Sequence, residues 1–260
     1  MKLAALRLAA AAALLLGVLN AAAAVGDRLS ASVGLDYTTG DYGQSEDTDM
    51  LALAFSVKYE TGRWTYRASL PYIHVTGPSN VVVSDSGGVL VGPGTARTRT
   101  DHGLGDLVLG AAYVAMYGAD APFLLEVGGK VKLPTADEDK GLGTGETDWS
   151  IQADAFKQYG LYTPFATLGY RFYGDPPGIN LRNVLYGSIG TTYRLADGNT
   201  VGAAYDFRDA TVRGGDELSE LSLFLTRKLT PSWQMQLYGV LGFSDASPDA
   251  GAGVVFTAIF

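Results

Sequence analysis

From residue 28 to the end of the chain, segments of about ten residues alternate apolar and polar side chains with a period of two. That alternation predicts strands with one apolar and one polar face, and stripes at helical spacing are missing. Twelve such segments can be marked, at roughly 28–37, 49–60, 64–75, 105–116, 123–133, 148–157, 162–173, 183–195, 200–208, 218–228, 233–243 and 251–260. An even count returns both ends to one side of a closed sheet.

The connections alternate in length. Short links at 61–63, 117–122, 158–161, 196–199 and 229–232 separate longer ones at 38–48, 76–104, 134–147, 174–182, 209–217 and 244–250. Membrane barrels follow this rule, with short periplasmic turns and longer extracellular loops; a soluble sandwich has no reason to obey it. The expected fold is therefore all-β, a transmembrane antiparallel β-barrel of about 12 strands. In the last segment Ala252, Val254, Phe256, Ala258 and Phe260 alternate with Gly253, Val255, Thr257 and Ile259. This resembles the closing strand of Gram-negative outer-membrane barrels, whose terminal Phe is the signal read by the barrel-assembly machinery.

On the lipid-facing register, Tyr59, Trp64, Phe123, Tyr193, Trp233 and Phe260 fall at the short-turn ends, and Tyr37, Tyr72, Trp149, Phe172, Phe207 and Phe243 at the other. Two aromatic belts are expected where strands cross the headgroup regions. Between them lie mostly Leu, Val, Ala and Gly, as in Leu29, Ala31, Val33 and Leu35.

Residues 1–24 have a basic start (Lys2, Arg7), an apolar stretch through Leu16 and small residues at Ala22, Ala23 and Ala24. They read as a cleaved secretory signal, which leaves 25–260 as one outer-membrane barrel domain. No later stretch offers the roughly 20 consecutive apolar residues of a spanning helix. Removing the signal leaves 17 basic against 27 acidic residues, a formal charge of about -10, which disfavours a nucleic-acid partner. With no cysteine there is neither a disulfide framework nor a thiolate metal site.

The same register sends most ionisable strand residues inward: Asp36, Lys58, Arg67, Glu126, Lys130, Lys132, Asp154, Arg171, Arg194, Asp206, Arg208 and Glu220. A Lys or Arg on the lipid face would cost about 2–4 kcal/mol near the midplane. Pairing of Lys130 or Lys132 with Asp154, and of Asp154 with Arg171, is expected across the ladder. This polar lining can steer a solute or fill and stiffen the barrel, and strand number alone does not separate the two.

The second long connection is too long to be passive. Val81–Val83 and Val89–Val91 flank Ser84-Asp85-Ser86-Gly87-Gly88, a hairpin signal, and Arg97 and Arg99 follow Pro93-Gly94 on one side of an extended segment. Two readings are open for the segment: a mobile external flap with solvated arginines, the commoner outcome, or a fold over or into the outer mouth with Arg97 and Arg99 as a gate or anion-attracting rim.

Histidine chemistry is restricted to His74 and His102 near the outer rim, and neither stands in a catalytic signature, so an outer-membrane hydrolase ranks third among the functions. The acidic runs at 46–49, 137–139 and 216–217 match no calcium loop and read as solvated loops, with weak divalent-cation contact to lipopolysaccharide as the alternative. Gly141 to Gly145 precedes a strand and opens no helix, so it is no phosphate cradle. No cofactor and no metal site is expected.

Two stretches go beyond barrel pattern. They are His102-Gly-Leu-Gly-Asp106-Leu-Val-Leu-Gly110, and Lys130-Val-Lys-Leu-Pro134-Thr-Ala-Asp137 followed by Lys140-Gly-Leu-Gly-Thr-Gly145-Glu-Thr-Asp148. Together they resemble the "MetA-pathway of phenol degradation" family of outer-membrane proteins. The family's usual block reads Lys-Leu-Pro-Thr-Gly-Asp, and here Ala136 takes the glycine's place. The resemblance implies a passive outer-membrane barrel for uptake of aromatic or other small hydrophobic solutes, and it carries over no catalytic or ligand-binding residue. Both motifs should meet at the outer rim, where they shape the mouth or set turns and strand register; the second is the simpler expectation. The rival reading is a closed structural or surface-interaction barrel with a filled lumen.

Overall fold

The computed structural model describes residues 27–83, 89–92, 97–118, 121 and 123–260. The signal segment, the hairpin tip at 84–88, Pro93-Gly94 and part of the 117–122 link lie outside the described residues.

The strands are β1 (Arg28–Gly40), β2 (Thr48–Thr61), β3 (Trp64–Pro78), β4 (Val81–Val83), β5 (Val89–Val91), β6 (Thr98–Leu104), β7 (Leu107–Met116) and β8 (Leu124–Leu133). They continue as β9 (Asp148–Phe156), β10 (Tyr162–Phe172), β11 (Val184–Arg194), β12 (Thr200–Arg208), β13 (Leu218–Thr230), β14 (Trp233–Gly242) and β15 (Ala250–Ile259). Each long strand pairs antiparallel with the next, and β1 pairs with β15, from Ser30 opposite Ile259 to Thr39 opposite Ala250. The sheet closes on itself. Closure removes the free edges that an open sheet of this length would expose.

β6 and β7 together form one wall strand, because β3 pairs with β6 through residues 72–78 and with β7 through residues 64–69. The barrel thus has twelve wall strands, with β4 and β5 as a separate hairpin in the second long connection. The sequence places the fourth wall strand at 105–116; it starts seven residues earlier, at Thr98. At the junction Gly105 and Asp106 are both buried, so two consecutive side-chain positions face inward. This is a β-bulge, which shifts the alternation of β6 by one residue relative to β7.

Outward positions carry the lipid belt. Leu29, Val33 and Leu35, Phe55 and Val57, and Ile151, Ile189 and Leu223 are exposed, and so are Trp64, Trp149, Trp233 and Phe260 of the aromatic belts. A soluble protein would bury these. Inward, the wall from β9 to β14 is filled by Phe156, Phe165, Phe224 and Tyr238 with Ala204 and Val240. Phe165 lies opposite Gly190, Phe224 opposite Gly202 and Tyr238 opposite Gly253. A Cβ on any of those glycines would collide with the facing ring, so the missing side chain makes room for the aromatic on the lumen wall.

Candidate functional site: the lumen and its outer mouth

Every ionisable residue predicted to point inward lies on an inward position, and the structure divides them by depth. Lys58, Arg67, Glu126, Lys130 and Asp154 line a cavity of about 150 Å³ beside β1–β3 and β7–β9. It runs from Arg28 and Ile259 at the short-turn end to Asp36, with Ser30, Ser32, Ser56, Gln152 and Gln236 among its walls. Lys132, Arg171, Asp206, Arg208 and Glu220 are buried in the wall or under the mouth, while Arg194 is exposed at the short-turn rim.

Asp154 lies directly opposite neither Lys130, Lys132 nor Arg171. Its carboxylate accepts hydrogen bonds from Thr167 Oγ1 at 2.6 Å and Gln152 Nε2 at 2.7 Å. By register, Asp154 lies opposite Glu126, Lys130 opposite Ser150 and Lys132 opposite Asp148, while Arg171 also faces Ser150. Sequence distance alone had left that register free. Glu126 instead meets Arg67, at 3.7 Å.

At the long-loop end an apolar cluster packs inside the mouth. Met50, Ile73 and Val75 point in from β2 and β3, and they meet Tyr42 from the first long loop, Val81, Val83 and Val89 from the β4–β5 hairpin, and Leu142 from the 134–147 loop. The hairpin forms where the valine runs predicted it, with Val81 opposite Val91 and Val83 opposite Val89. It is tied to the neighbouring loop by Val83 N–H donating to the Gly141 carbonyl at 2.8 Å. Tyr42 adopts a φ of 51°, a left-handed conformation that costs a non-glycine residue about 1–3 kcal/mol. It places the ring in the plug, 3% exposed, and burial pushes the phenol's pKa well up.

Beneath the plug lies a buried cation. The Lys132 ammonium is 2.9 Å from the Asp106 carboxylate and 3.3 Å from that of Asp148, and it donates to Thr144 Oγ1 at 2.7 Å. Asp106 also accepts from the Ala136 amide at 3.0 Å, and Asp148 from the Gly174 amide at 3.0 Å. Thr135 Oγ1 accepts from the Leu107 amide at 2.8 Å and donates to the Gly105 carbonyl at 3.1 Å. The two sequence motifs are thus one constellation that binds the third long loop to the wall strands. They set a turn, and they also fasten the 134–147 loop to the wall. Asp106 stands in phase with the inward positions of β7, and the bulge offsets that series by one residue from the inward positions of β6.

Close approach at this seam uses glycine. A Cβ on Gly143 would come within 2.8 Å of the Asp106 carboxylate and 2.7 Å of the Ala136 Cβ. Ala136, where the family pattern has glycine, has no positive φ, so its methyl group is accommodated and packs against the apolar plug.

Of the two candidate gate arginines, Arg99 is inward-facing. It pairs with Asp101 at 2.8 Å and donates to the Asp139 carbonyl at 3.1 Å, joining β6 to the third long loop. Arg97 is exposed. His74 and His102 are direct cross-strand partners with ring centroids 6.1 Å apart, on the outward face. Asp101 points the other way, so it does not orient His102.

The features that sequence reasoning missed are the bulge, the pairing of Lys132 with Asp106 and Asp148, and the plug roles of Tyr42 and Leu142. Asp106, Lys132, Thr144 and Asp148 all stand inside the quoted motifs, but nothing in their spacing shows that they converge.

These features define a closed, twelve-stranded outer-membrane β-barrel with a lined lumen. The chain belongs to the family described as "Putative MetA-pathway of phenol degradation", whose model matches residues 26–258. No curated protein matches the sequence. Among solved structures, an outer membrane channel from Pseudomonas putida F1 superposes with a TM-score of 0.64 at 16% identity, covering 91% of this chain and 96% of that one. The translocator domain of the autotransporter NalP from Neisseria meningitidis gives 0.53 at 13% identity over 99% and 97%, and KdgM porin in complex with oligogalacturonate gives 0.51 at 9% over 87% and 98%. At these identities the likeness is one of fold.

Proposed function

We propose that this barrel is a passive outer-membrane channel for small solutes, including aromatic or hydrophobic compounds, held closed at its outer mouth in the conformation described. The observation that carries this reading is a lined cavity lying directly under a plug that is fastened by side chains. Family membership and the Pseudomonas putida channel of like fold support it. Lys58, Arg67, Glu126, Lys130 and Asp154 form the solute path, and Arg99 fastens the lid that the solute must pass. Lys132, Arg171, Asp206 and Arg208 hold the wall and mouth, Arg194 marks the exit rim, and Arg97 offers a solvated charge outside. No catalytic step is assigned to the chain. Residues 1–24 serve as the secretion signal, and the strand ending at Phe260 as the recognition element for assembly.

The buried plug also favours a second reading, a closed structural barrel. Single-channel conductance of the refolded mature protein in planar bilayers separates the two, measured for wild type, a deletion of 79–99 and Lys132→Ala. The channel reading expects rare openings in wild type and frequent ones in both variants. A folded barrel that stays silent in all three would establish the structural reading.

A further inference from the structure

We propose that the cavity contains a binding row for small aromatic carboxylates, centred on Arg67 and Lys130 where they flank Gly110; the proposal rests on the channel reading and deepens it. The row follows from register. Lys58 lies opposite Arg67, Arg67 opposite Gly110, Gly110 opposite Lys130, Lys130 opposite Ser150, and Ser150 opposite Arg171. Four cations therefore share one line across five neighbouring strand pairs, with no acidic residue on it. Because barrel strands tilt, a line perpendicular to them climbs around the lumen as it goes.

Gly110 opens a gap in the line. A Cβ there would sit 3.4 Å from Lys130 Cγ and 4.0 Å from Arg67 Cβ, so the two stems flank a stretch of bare backbone. An anion of carboxylate size can rest between the two cationic groups and take charge-assisted hydrogen bonds from both.

Among the ionisable residues that line the cavity, the cations are the more exposed. Asp36, Glu126 and Asp154 border the cavity at only 2%, 2% and 3% exposure, and Asp154 spends its oxygens on Thr167 and Gln152. Lys58 and Arg67 keep 14% and 22% of their side chains exposed, and Lys130 is half-buried. A solute in this space meets these cations beside the carboxylates that pair with them, Lys58 with Glu60 at 3.1 Å and Arg67 with Glu126 at 3.7 Å. Inward-facing Ala54, Val108, Ala112, Val255 and Ile259 supply apolar surface beside the row. One ring and one negative group is the chemistry that such a lining selects.

The test compares benzoate with benzamide, its neutral counterpart of like shape, in liposomes carrying the refolded mature protein and, to open the mouth, its 79–99 deletion variant. Benzoate should enter, or block the ionic current, about tenfold more effectively than benzamide. Lys130→Gln should remove most of that preference and Lys130→Glu should reverse it, with Lys58→Gln as a second variant and folding followed by heat-modifiable migration. Equal handling of the two solutes, or a preference that Lys130→Gln leaves intact, overturns the carboxylate row and leaves the channel reading standing. If neither solute passes or blocks, the channel reading fails and the row fails with it.

Discussion

The outer and inner halves of the lumen are walled by the same twelve strands, yet beside β2 and β3 the outer half is packed with apolar side chains and the inner half holds a cavity. In the outer half Met50, Leu142 and Lys132 are at most 2% exposed, because three loops lay apolar side chains over the opening and one buried ammonium ties two carboxylates beneath them. In the inner half, small and polar residues such as Ser30, Ser32, Ser56 and Gln236 leave space. The difference lies in what the loops bring. Strand alternation makes a tube and supplies Met50, Ile73 and Val75 to the plug, and the loops bring the side chains that meet them.

The sharpest way to break this contrast is Lys132→Ala. It leaves Asp106 and Asp148 buried without their cation, and a broken buried pair costs about 3–5 kcal/mol. Urea or guanidinium unfolding should register that loss, and protease cleavage within 134–147 should rise. A triple variant with Asp106→Asn and Asp148→Asn should recover part of the stability; no recovery would mean that the charges are not what couples the loop to the wall.

Leu142→Ala empties the centre of the plug, where the side chain is 1% exposed, at a cost of about 2–5 kcal/mol. Its effect should be confined to the mouth, seen as faster hydrogen exchange of the β4–β5 hairpin with unchanged exchange in β10 to β14. Gly190→Ala tests the opposite wall. Its Cβ would meet the Phe165 ring and the Ala203 carbonyl, and overpacking should cost about 1–3 kcal/mol in unfolding while the protease pattern of the 134–147 loop stays as in wild type. A shift of the mouth in that variant would show that the two halves are mechanically coupled.

The smallest effect belongs to the solvent-facing side of the same loop. Lys140 lies 2.9 Å from Asp137 and holds its carboxyl below the usual range through a side-chain hydrogen bond. A depressed carboxyl pKa adds stability above the unfolded value of about 3.9 and loses it as pH falls through the folded value. The pair is exposed, so Lys140→Gln should lower the melting midpoint only slightly at pH 7, and that difference should fade as pH falls through the lowered value of the Asp137 carboxyl. A large effect at neutral pH would place this pair among the fastenings of the mouth.

Much of this protein was legible along the chain. The alternation located all twelve wall strands, and the lengths of the links told the two rims apart. The valine runs at 81–83 and 89–91 located the hairpin, because turn chemistry between apolar runs is a local signal. The lipid-facing aromatics, the inward charges and the family motifs were likewise readable. That Asp154 lies opposite Glu126, and Lys132 opposite Asp148, was not legible, because inward orientation depends on parity alone while the facing residue depends on register between strands.

The sequence by itself determined the barrel, its two faces and its family, since a membrane demands satisfied backbone hydrogen bonds and an apolar exterior, and both constraints act residue by residue. Only the tertiary structure decided that Asp106, Lys132 and Asp148 meet, that Tyr42 and Leu142 share a plug, and that Lys58, Arg67 and Lys130 fall on one line. Those facts depend on a one-residue bulge and on the register with which distant strands close, and a slip of one position would turn each of these side chains toward the opposite face.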